Sequence, residues 1–395
     1  MNMTFSKEEQ YLLELLKGAL KGKQSVVEPN EQVNLRGVLD DAKKHAVLSV
    51  LYDMLRQIPL TEEQNVQIDK TCKQIVVQNY RLLFLTKYLV ALLEKDLIRV
   101  LVLKGVSTAS WYPVPELRKS GDVDLLIPKE KLNKVSEILG AAGFVEKKEQ
   151  HANYHLEFIS REGITVEIHT DFTERFAYKK INDAMEKQVN ECFLYISREC
   201  IMNVELPVLS REYHAYELLL HMLHHFTTSG FGLKLLCDWV VCWEQDWTEK
   251  EKAAFRQLAK ESGTERFAEA VTEVCAEYLG MKKGRFAWNY SDVDIPTEEL
   301  LREILDSEEF GGEDSNRMVV MNGTGLGAYI REFHHQMHLN FPEAGRCFWL
   351  WPILWTVTLV RFLKNNKSVR NTSASEVLKE ARRRSQLMKT LKIFS

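Results

Sequence analysis

Apolar residues recur at three- and four-residue spacing through most of the first ninety-five positions. Tyr11, Leu12, Leu15 and Leu16 follow Ser6, and Val47, Leu48, Leu51 and Leu55 repeat the pattern. Spacing of this kind predicts amphipathic helices, and Ser6 three residues before Glu9 is the pattern of a capping box at the first of them. The rhythm changes near residue 98. Residues 98–103 are a short apolar run rich in β-branched side chains that ends at Lys104-Gly105, and residues 122–127 are a second run stopped by Pro128. Both predict strands. Residues 131–142 return to helical spacing and end at Gly143, where a glycine suits the end of a helix.

Residues 154–160 and 164–171 alternate in the manner of strands and are separated by Arg161-Glu162-Gly163. A three-residue loop with Gly at its positive-φ position predicts a hairpin. Pairing Ser160 with Ile164 sets Phe158 opposite Val166 and Leu156 opposite Ile168 on one face. Glu157 then faces Glu167, His155 faces His169 and Asn153 faces Asp171 on the other. A one-residue slip would mix apolar with polar partners, so the pattern specifies this register.

Helical spacing resumes after Ser210, a suitable N-cap for residues 213–226, and continues over residues 233–243. His221 and His225 lie one turn apart, a spacing that can chelate zinc, but no third ligand stands nearby and a structural or pocket-lining role is the plainer reading. Residues 347–360 are almost wholly apolar, yet as a helix they would reach only about 21 Å against a hydrocarbon core of about 30 Å, and Pro352 interrupts them. The expectation is no transmembrane span, with this segment buried or making a peripheral or protein contact. The last 35 residues carry ten Lys/Arg against two Glu, most simply a solvated helix face.

Composition narrows the class. The chain has 395 residues, 45% hydrophobic and 27% charged, with 9 Pro and 19 Gly, which excludes a disordered or collagenous protein. A net charge of -4 gives no global basic field, and the 7 Cys form no CxxC, so neither a disulfide framework nor a thiolate zinc site is indicated. A reducing cytoplasm is the expected location, and the N-terminus lacks the basic-then-apolar order of a signal peptide.

The chemistry concentrates in three pieces: Lys104-Gly-Val-Ser107, Arg118-Lys-Ser-Gly-Asp-Val-Asp124, and Val166-Glu-Ile-His169. Side chains alternate along a strand, so Asp122 and Asp124 project together while Val123, Leu125 and Ile127 enter the core. Two carboxylates in one small volume repel, and a divalent cation with oxygen ligands neutralises them. Glu167, on the polar face of a later strand, would complete a site for one or two Mg²⁺ (or Mn²⁺) ions. Gly105 permits close backbone approach to a triphosphate, Ser107 offers a hydroxyl, and Lys104 and Arg118 carry positive charge. His169 shares the face of Glu167.

This arrangement resembles the nucleotidyltransferase superfamily, with its DNA polymerase beta-like core, and more narrowly the uncharacterised bacterial nucleotidyltransferases. The turn differs in having Val106 after Gly105, with Ser107 one place later. The region around Asp41, the His221/His225 helix with Asp238, and Phe310-Gly-Gly also look familial. The resemblance implies an α+β fold with a small mixed β-sheet, flanked by an N-terminal helical region (1–95) and a C-terminal helical region (206–395) around a core at 96–205. It implies transfer of a nucleoside monophosphate from an NTP, such as ATP, to an acceptor, with release of pyrophosphate. Asp122, Asp124 and Glu167 would hold the metal, and Lys104, Gly105, Ser107, Arg118 and His169 would meet the nucleotide. The acceptor could be a small molecule, a peptide, a protein or RNA. A catalytically silent nucleotide- or partner-binding module and a toxin-like enzyme modifying tRNA are the alternatives.

Overall fold

The structure is a computed structural model that describes residues 5–22, 28–147, 155–176, 178–228, 230–288, 295–307, 344–369 and 385–391, with scattered positions between 330 and 341. Helices α1 (Lys7–Ala19), α2 (Leu35–Lys44) and α3 (Tyr52–Leu55) precede the long α4 (Glu62–Lys95). The capping box at Ser6 and Glu9 is present, and Thr61 and Gln64 make a second at the start of α4.

Strand β1 (Leu101–Val102) leads through a turn into α5 (Val106–Ala109) and then to β2 (Val123–Leu126). After α6 (Leu132–Ala141) come β3 (Val145–Glu146), β4 (His155–Ile159) and β5 (Thr165–His169), then α7 (Lys179–Cys192) and the pair β6 (Ile196–Ile201) and β7 (Val204–Leu209). These form one sheet in the order β3-β4-β5-β2-β1-β7-β6. It is mixed: β2 runs parallel to β5 and antiparallel to β1, and β1 runs parallel to β7. The β4–β5 hairpin has the register its sequence requires, with Phe158 opposite Val166, Glu157 opposite Glu167 and His155 opposite His169. Gly163 in its loop has φ +79°. Asn153 lies outside the described residues.

The remaining helices are α8 (Arg211–Thr227), α9 (Leu233–Trp243), α10 (Glu249–Ser262), α11 (Glu265–Tyr278), α12 (Thr297–Leu305) and α13 (Trp351–Val369). The α+β class therefore holds. The helical regions at the two ends of the sequence share one core, in which Leu12, Leu16 and Leu51 join Trp239, Phe255, Phe267 and Leu301. A second core lies on the other side of the sheet, where Leu82, Leu89 and Leu93 of α4 and Val135 and Leu139 of α6 pack on Val123, Leu125, Val166 and Ile168. By length and composition α4 alone among the described helices could cross a membrane, but its inner face is committed to this second core. In and before α13, Leu354 is buried while Phe348, Trp349 and Ile353 are exposed. Within this chain the apolar segment is thus not an inward-packed core helix.

Asn79 ties α4 to the loop before β2. Its buried amide donates to the carbonyls of Glu116 (2.7 Å) and Arg118 (2.8 Å). Removing the amide strands one buried and one part-buried acceptor, so Asn79→Ala is expected to cost about 1–3 kcal/mol, measurable as a lowered urea midpoint with unchanged m-value.

Candidate active site

The two-residue period of the strands decides which face carries the chemistry. Val123, Leu125 and Ile127 belong to the core under α4, whereas Leu126 belongs to the core shared with the C-terminal helices. Asp122 and Asp124 have the parity of Leu126 and so face the helical side. On β5, Val166 and Ile168 are likewise committed to the α4 side, which turns Glu167 and His169 the other way. Parallel pairing sets Glu167 beside Asp124. One ligand oxygen each from Asp122, Asp124 and Glu167 lies within 4.8 Å of the others.

Among the described residues, Lys104 and His169 pair directly with this cluster. The Lys104 Nζ lies 3.3 Å from Asp124 Oδ1. The His169 Nε2 lies 2.9 Å from the same oxygen and 3.2 Å from Glu167 Oε2. Burial disfavours the imidazolium, but its hydrogen bonds to Asp124 and Glu167 outweigh that and push its pKa up to about 9. Burial likewise works against the Lys104 ammonium, and the carboxylates led by Asp124 raise it above its usual range. Asp124 pays the burial penalty too, yet Lys104 and His169 hold it well below the usual carboxylate range. Asp122 absorbs the repulsion: the charge on Asp124, together with burial, lifts it to about 6.

The residues fit a divalent cation. Asp124 Oδ2 is buried without a hydrogen-bond partner among the described residues, and the three carboxylates supply hard oxygen donors of the kind Mg²⁺ and Mn²⁺ take. His155, Glu167 and His169 form a second group within the same distance limit, and the rings of His155 and His169 lie 5.3 Å apart.

The turn above the cluster is built from behind. Gly105 has φ +62°, a conformation that strains any residue with a Cβ. Its turn passes Asp124: a Cβ there would stand 4.0 Å from Asp124 Oδ2. The sequence reading puts Arg118 and the Ser107 hydroxyl at the phosphates, and the structure engages both elsewhere. Arg118 is buried, its Nε and Nη2 donating to Asp238 at 2.7 and 2.8 Å and its Nη1 to the Gly105 carbonyl (2.9 Å) and Ser120 Oγ (3.0 Å). Such a guanidinium holds the glycine turn and has little left for a ligand. Ser107 is buried, and its hydroxyl donates back to the Leu103 carbonyl at 2.7 Å. That bond closes the turn, as side-chain hydroxyls commonly do.

On the face that α8 presents to this cluster, the sequence reading singled out His221 but not His214 or Glu217. His214, Glu217, His221 and His224 follow at three- and four-residue steps, one stripe of the helix. His214 Nε2 lies 3.1 Å from Thr108 Oγ1 and its ring packs on Trp111 at 4.1 Å. Glu217 is fully buried, and neither of its oxygens has a hydrogen-bond partner among the described residues. Burial raises its carboxyl to about 8, against the pull of Lys104. His221 and His225 pack edge to face with centroids 4.5 Å apart, and burial lowers both well below the ordinary imidazole range. The 217/221 spacing beside Lys104 was the available signal, and it needed the fold to bring α8 over the sheet.

Glu217 gives a pH test of this packing. The folded protein binds the Glu217 proton more tightly than the unfolded chain, so its contribution to stability is full below the ordinary value of 4.5 and is lost as pH rises towards about 8. Glu217→Gln removes that loss. The variant is expected to lie close to wild type near pH 5 and to exceed it by roughly 4 kcal/mol at pH 8, read from denaturant unfolding at each pH.

Residues 31–280 match the model of a family described as uncharacterised nucleotidyltransferase. No curated protein matches the chain. Similar solved structures include the lincosamide antibiotic adenylyltransferase LnuA with lincomycin bound, at 16% identity and TM-score 0.25, covering 46% of this chain and 96% of that one. An antigenic nucleotidyltransferase-like protein from Paracoccidioides brasiliensis matches at 14% identity and TM-score 0.31, over 51% of this chain and 93% of its own. The antibiotic-resistance factor ANT(2'')-Ia matches at 12% identity and TM-score 0.27, over 51% and 94%. The family match spans well over half of the sequence and includes every residue of the carboxylate cluster, and on that ground the chain belongs to the uncharacterised nucleotidyltransferase family.

Proposed function

We propose that this protein transfers a nucleoside monophosphate from an NTP to an acceptor in a metal-dependent reaction that releases pyrophosphate. The observation that carries the reading is the convergence of Asp122, Asp124 and Glu167, with a buried and unpartnered Asp124 oxygen at its centre. These three residues would hold Mg²⁺ or Mn²⁺, which supplies Lewis-acid stabilisation of charge on the reacting phosphate.

The chain's own groups supply the rest. An acceptor oxygen attacks the α-phosphorus, the bond from that phosphorus to the pyrophosphate oxygen breaks, and the acceptor proton must pass to a base. Glu167 is the reading's base, since its side chain is 21% exposed where that of Asp124 is 1% exposed. Lys104, the cation beside Asp124, orients the phosphates, and the Gly105 turn lets them approach the backbone. His169 fixes the Asp124 carboxylate by donating to it, a positioning role that hydrogen-bonded partners of metal-ligating carboxylates commonly play. Ser107 and Arg118 act through the turn they hold. All seven cysteines are free thiols, which supports a reducing compartment, the cytoplasm.

Incubation with each of the four α-labelled NTPs, Mg²⁺ and a cell extract reads out transfer directly. Wild type is expected to move label onto an acceptor with at least one NTP, and Asp124→Asn to lose that transfer by about 100-fold or more while keeping its fold. Metal removal with EDTA should abolish it. Equal transfer by Asp124→Asn would overturn the metal-site reading, and NTP binding without transfer to any acceptor would favour a silent binding module.

A further inference from the structure

The segment 347–360 faces two ways. On its inner side Leu354 and Thr358 are buried, the Trp351 indole donates to the Gly345 carbonyl at 2.7 Å, and the Trp355 indole donates to His334 Nδ1 at 3.3 Å. These contacts fix the rotation of α13 and with it the face turned outward. That face carries Ile353, Leu359 and Val360, and the short turn Phe348–Leu350 just before the helix adds Phe348, Trp349 and Leu350. Trp349 is 76% exposed and Ile353 62%. Six large apolar side chains left in water on one short segment mark a surface that something covers.

Charge is sorted along this segment rather than around it. Residues 347–360 include no charged side chain, Arg361, Lys364 and Lys367 then follow within the same helix, and Arg346 and Arg370 flank the whole. No Asp or Glu occurs between Glu343 and Glu376, in a chain whose net charge is -4. This order decides between occupants. A second copy is a poor match: paired in parallel, the basic halves of the two helices meet each other, and paired antiparallel, each basic half meets an apolar one. A bilayer surface with anionic headgroups suits both halves at once, taking Trp, Phe and Leu side chains into the headgroup–acyl boundary and drawing the cations to the phosphates. The apolar stretch reaches about 21 Å, so it can lie in one leaflet without crossing a hydrocarbon core of about 30 Å.

We propose that residues 347–360 dock this protein on an anionic membrane surface, with the basic end of α13 directed to the lipid headgroups. The probes are vesicles of phosphatidylcholine alone and vesicles of two parts phosphatidylcholine to one part phosphatidylglycerol. Binding of the full chain is followed by flotation without NTP or metal, so the result stands apart from the transfer reaction. The protein should float with the anionic vesicles, less so as salt rises. Trp349→Ser/Ile353→Ser should weaken binding by about tenfold or more. Lys364→Gln/Lys367→Gln should weaken it by about 30-fold on the anionic vesicles. Thr356→Glu, at another exposed position of the helix, is an independent variant that should lose flotation as the apolar pair does.

Trp349 and Ile353 are exposed, and unchanged melting temperatures establish that the variants fold. Failure of the wild-type protein to float with either vesicle overturns the proposal, and so does flotation that the Trp349/Ile353 and Thr356 variants retain. Equal flotation with both compositions, or flotation that the Lys364/Lys367 variant retains in full, overturns the anionic-surface assignment. A wild-type dimer that does not float and that Trp349→Ser/Ile353→Ser converts to monomer shows a second copy covering the face, and overturns the proposal as well.

Discussion

Like charges set the terms on which this sheet can fold. Asp122, Asp124 and Glu167 each bring a ligand oxygen within 4.8 Å of the others, and two unit charges about 4 Å apart repel by roughly 4 kcal/mol at the effective dielectric of such sites. The chain meets that cost with Lys104 and His169, both on Asp124 Oδ1, and with a raised pKa at Asp122. The same oxygens that repel are the donors a divalent cation needs. Lys104 and His169 therefore offset part of the charge that a divalent cation would neutralise, and Asp124 Oδ2 is without a hydrogen-bond partner among the described residues.

Much of the remaining structure holds that cluster in position. Gly105 turns the chain past Asp124, Arg118 grips the turn through its carbonyl, and Asp238 of α9 fixes Arg118. Tyr112 donates to the same Asp238 oxygen at 2.7 Å. A buried ion pair of this kind adds little net stability against an apolar pair of the same shape, but losing one partner is expensive. It therefore ties α9 to the Gly105 turn. Asn79 does the same from the α4 side.

The legible parts of this design were local. The Asp-x-Asp spacing fixed the shared face of Asp122 and Asp124 because a strand has a period of two. The β4–β5 register followed from a three-residue loop and from matching apolar partners, and every described pair agrees with it. What the sequence hid was non-local. Arg118 read as a phosphate ligand because its partner Asp238 lies 120 positions away, and Ser107 because nothing in a linear motif shows a hydroxyl turned back onto its own backbone. Glu217 was not singled out, because a lone glutamate in a helical run gives no sign that the helix is buried almost all round. The β6–β7 hairpin escaped notice because its turn, Met202-Asn203, takes positive φ at both residues without the Asn-Gly or Asp-Gly pair that usually announces it.

The carboxylate cluster as a metal site is tested most directly by titrating Mn²⁺ into the protein and following the free-ion signal by electron paramagnetic resonance, with and without a non-hydrolysable NTP. Wild type should deplete the free signal saturably, more tightly with nucleotide present, while Asp124→Asn binds at least tenfold more weakly at an unchanged melting temperature. Equal Mn²⁺ binding by wild type and Asp124→Asn, or no saturable binding by a folded wild-type protein even with nucleotide, would contradict it.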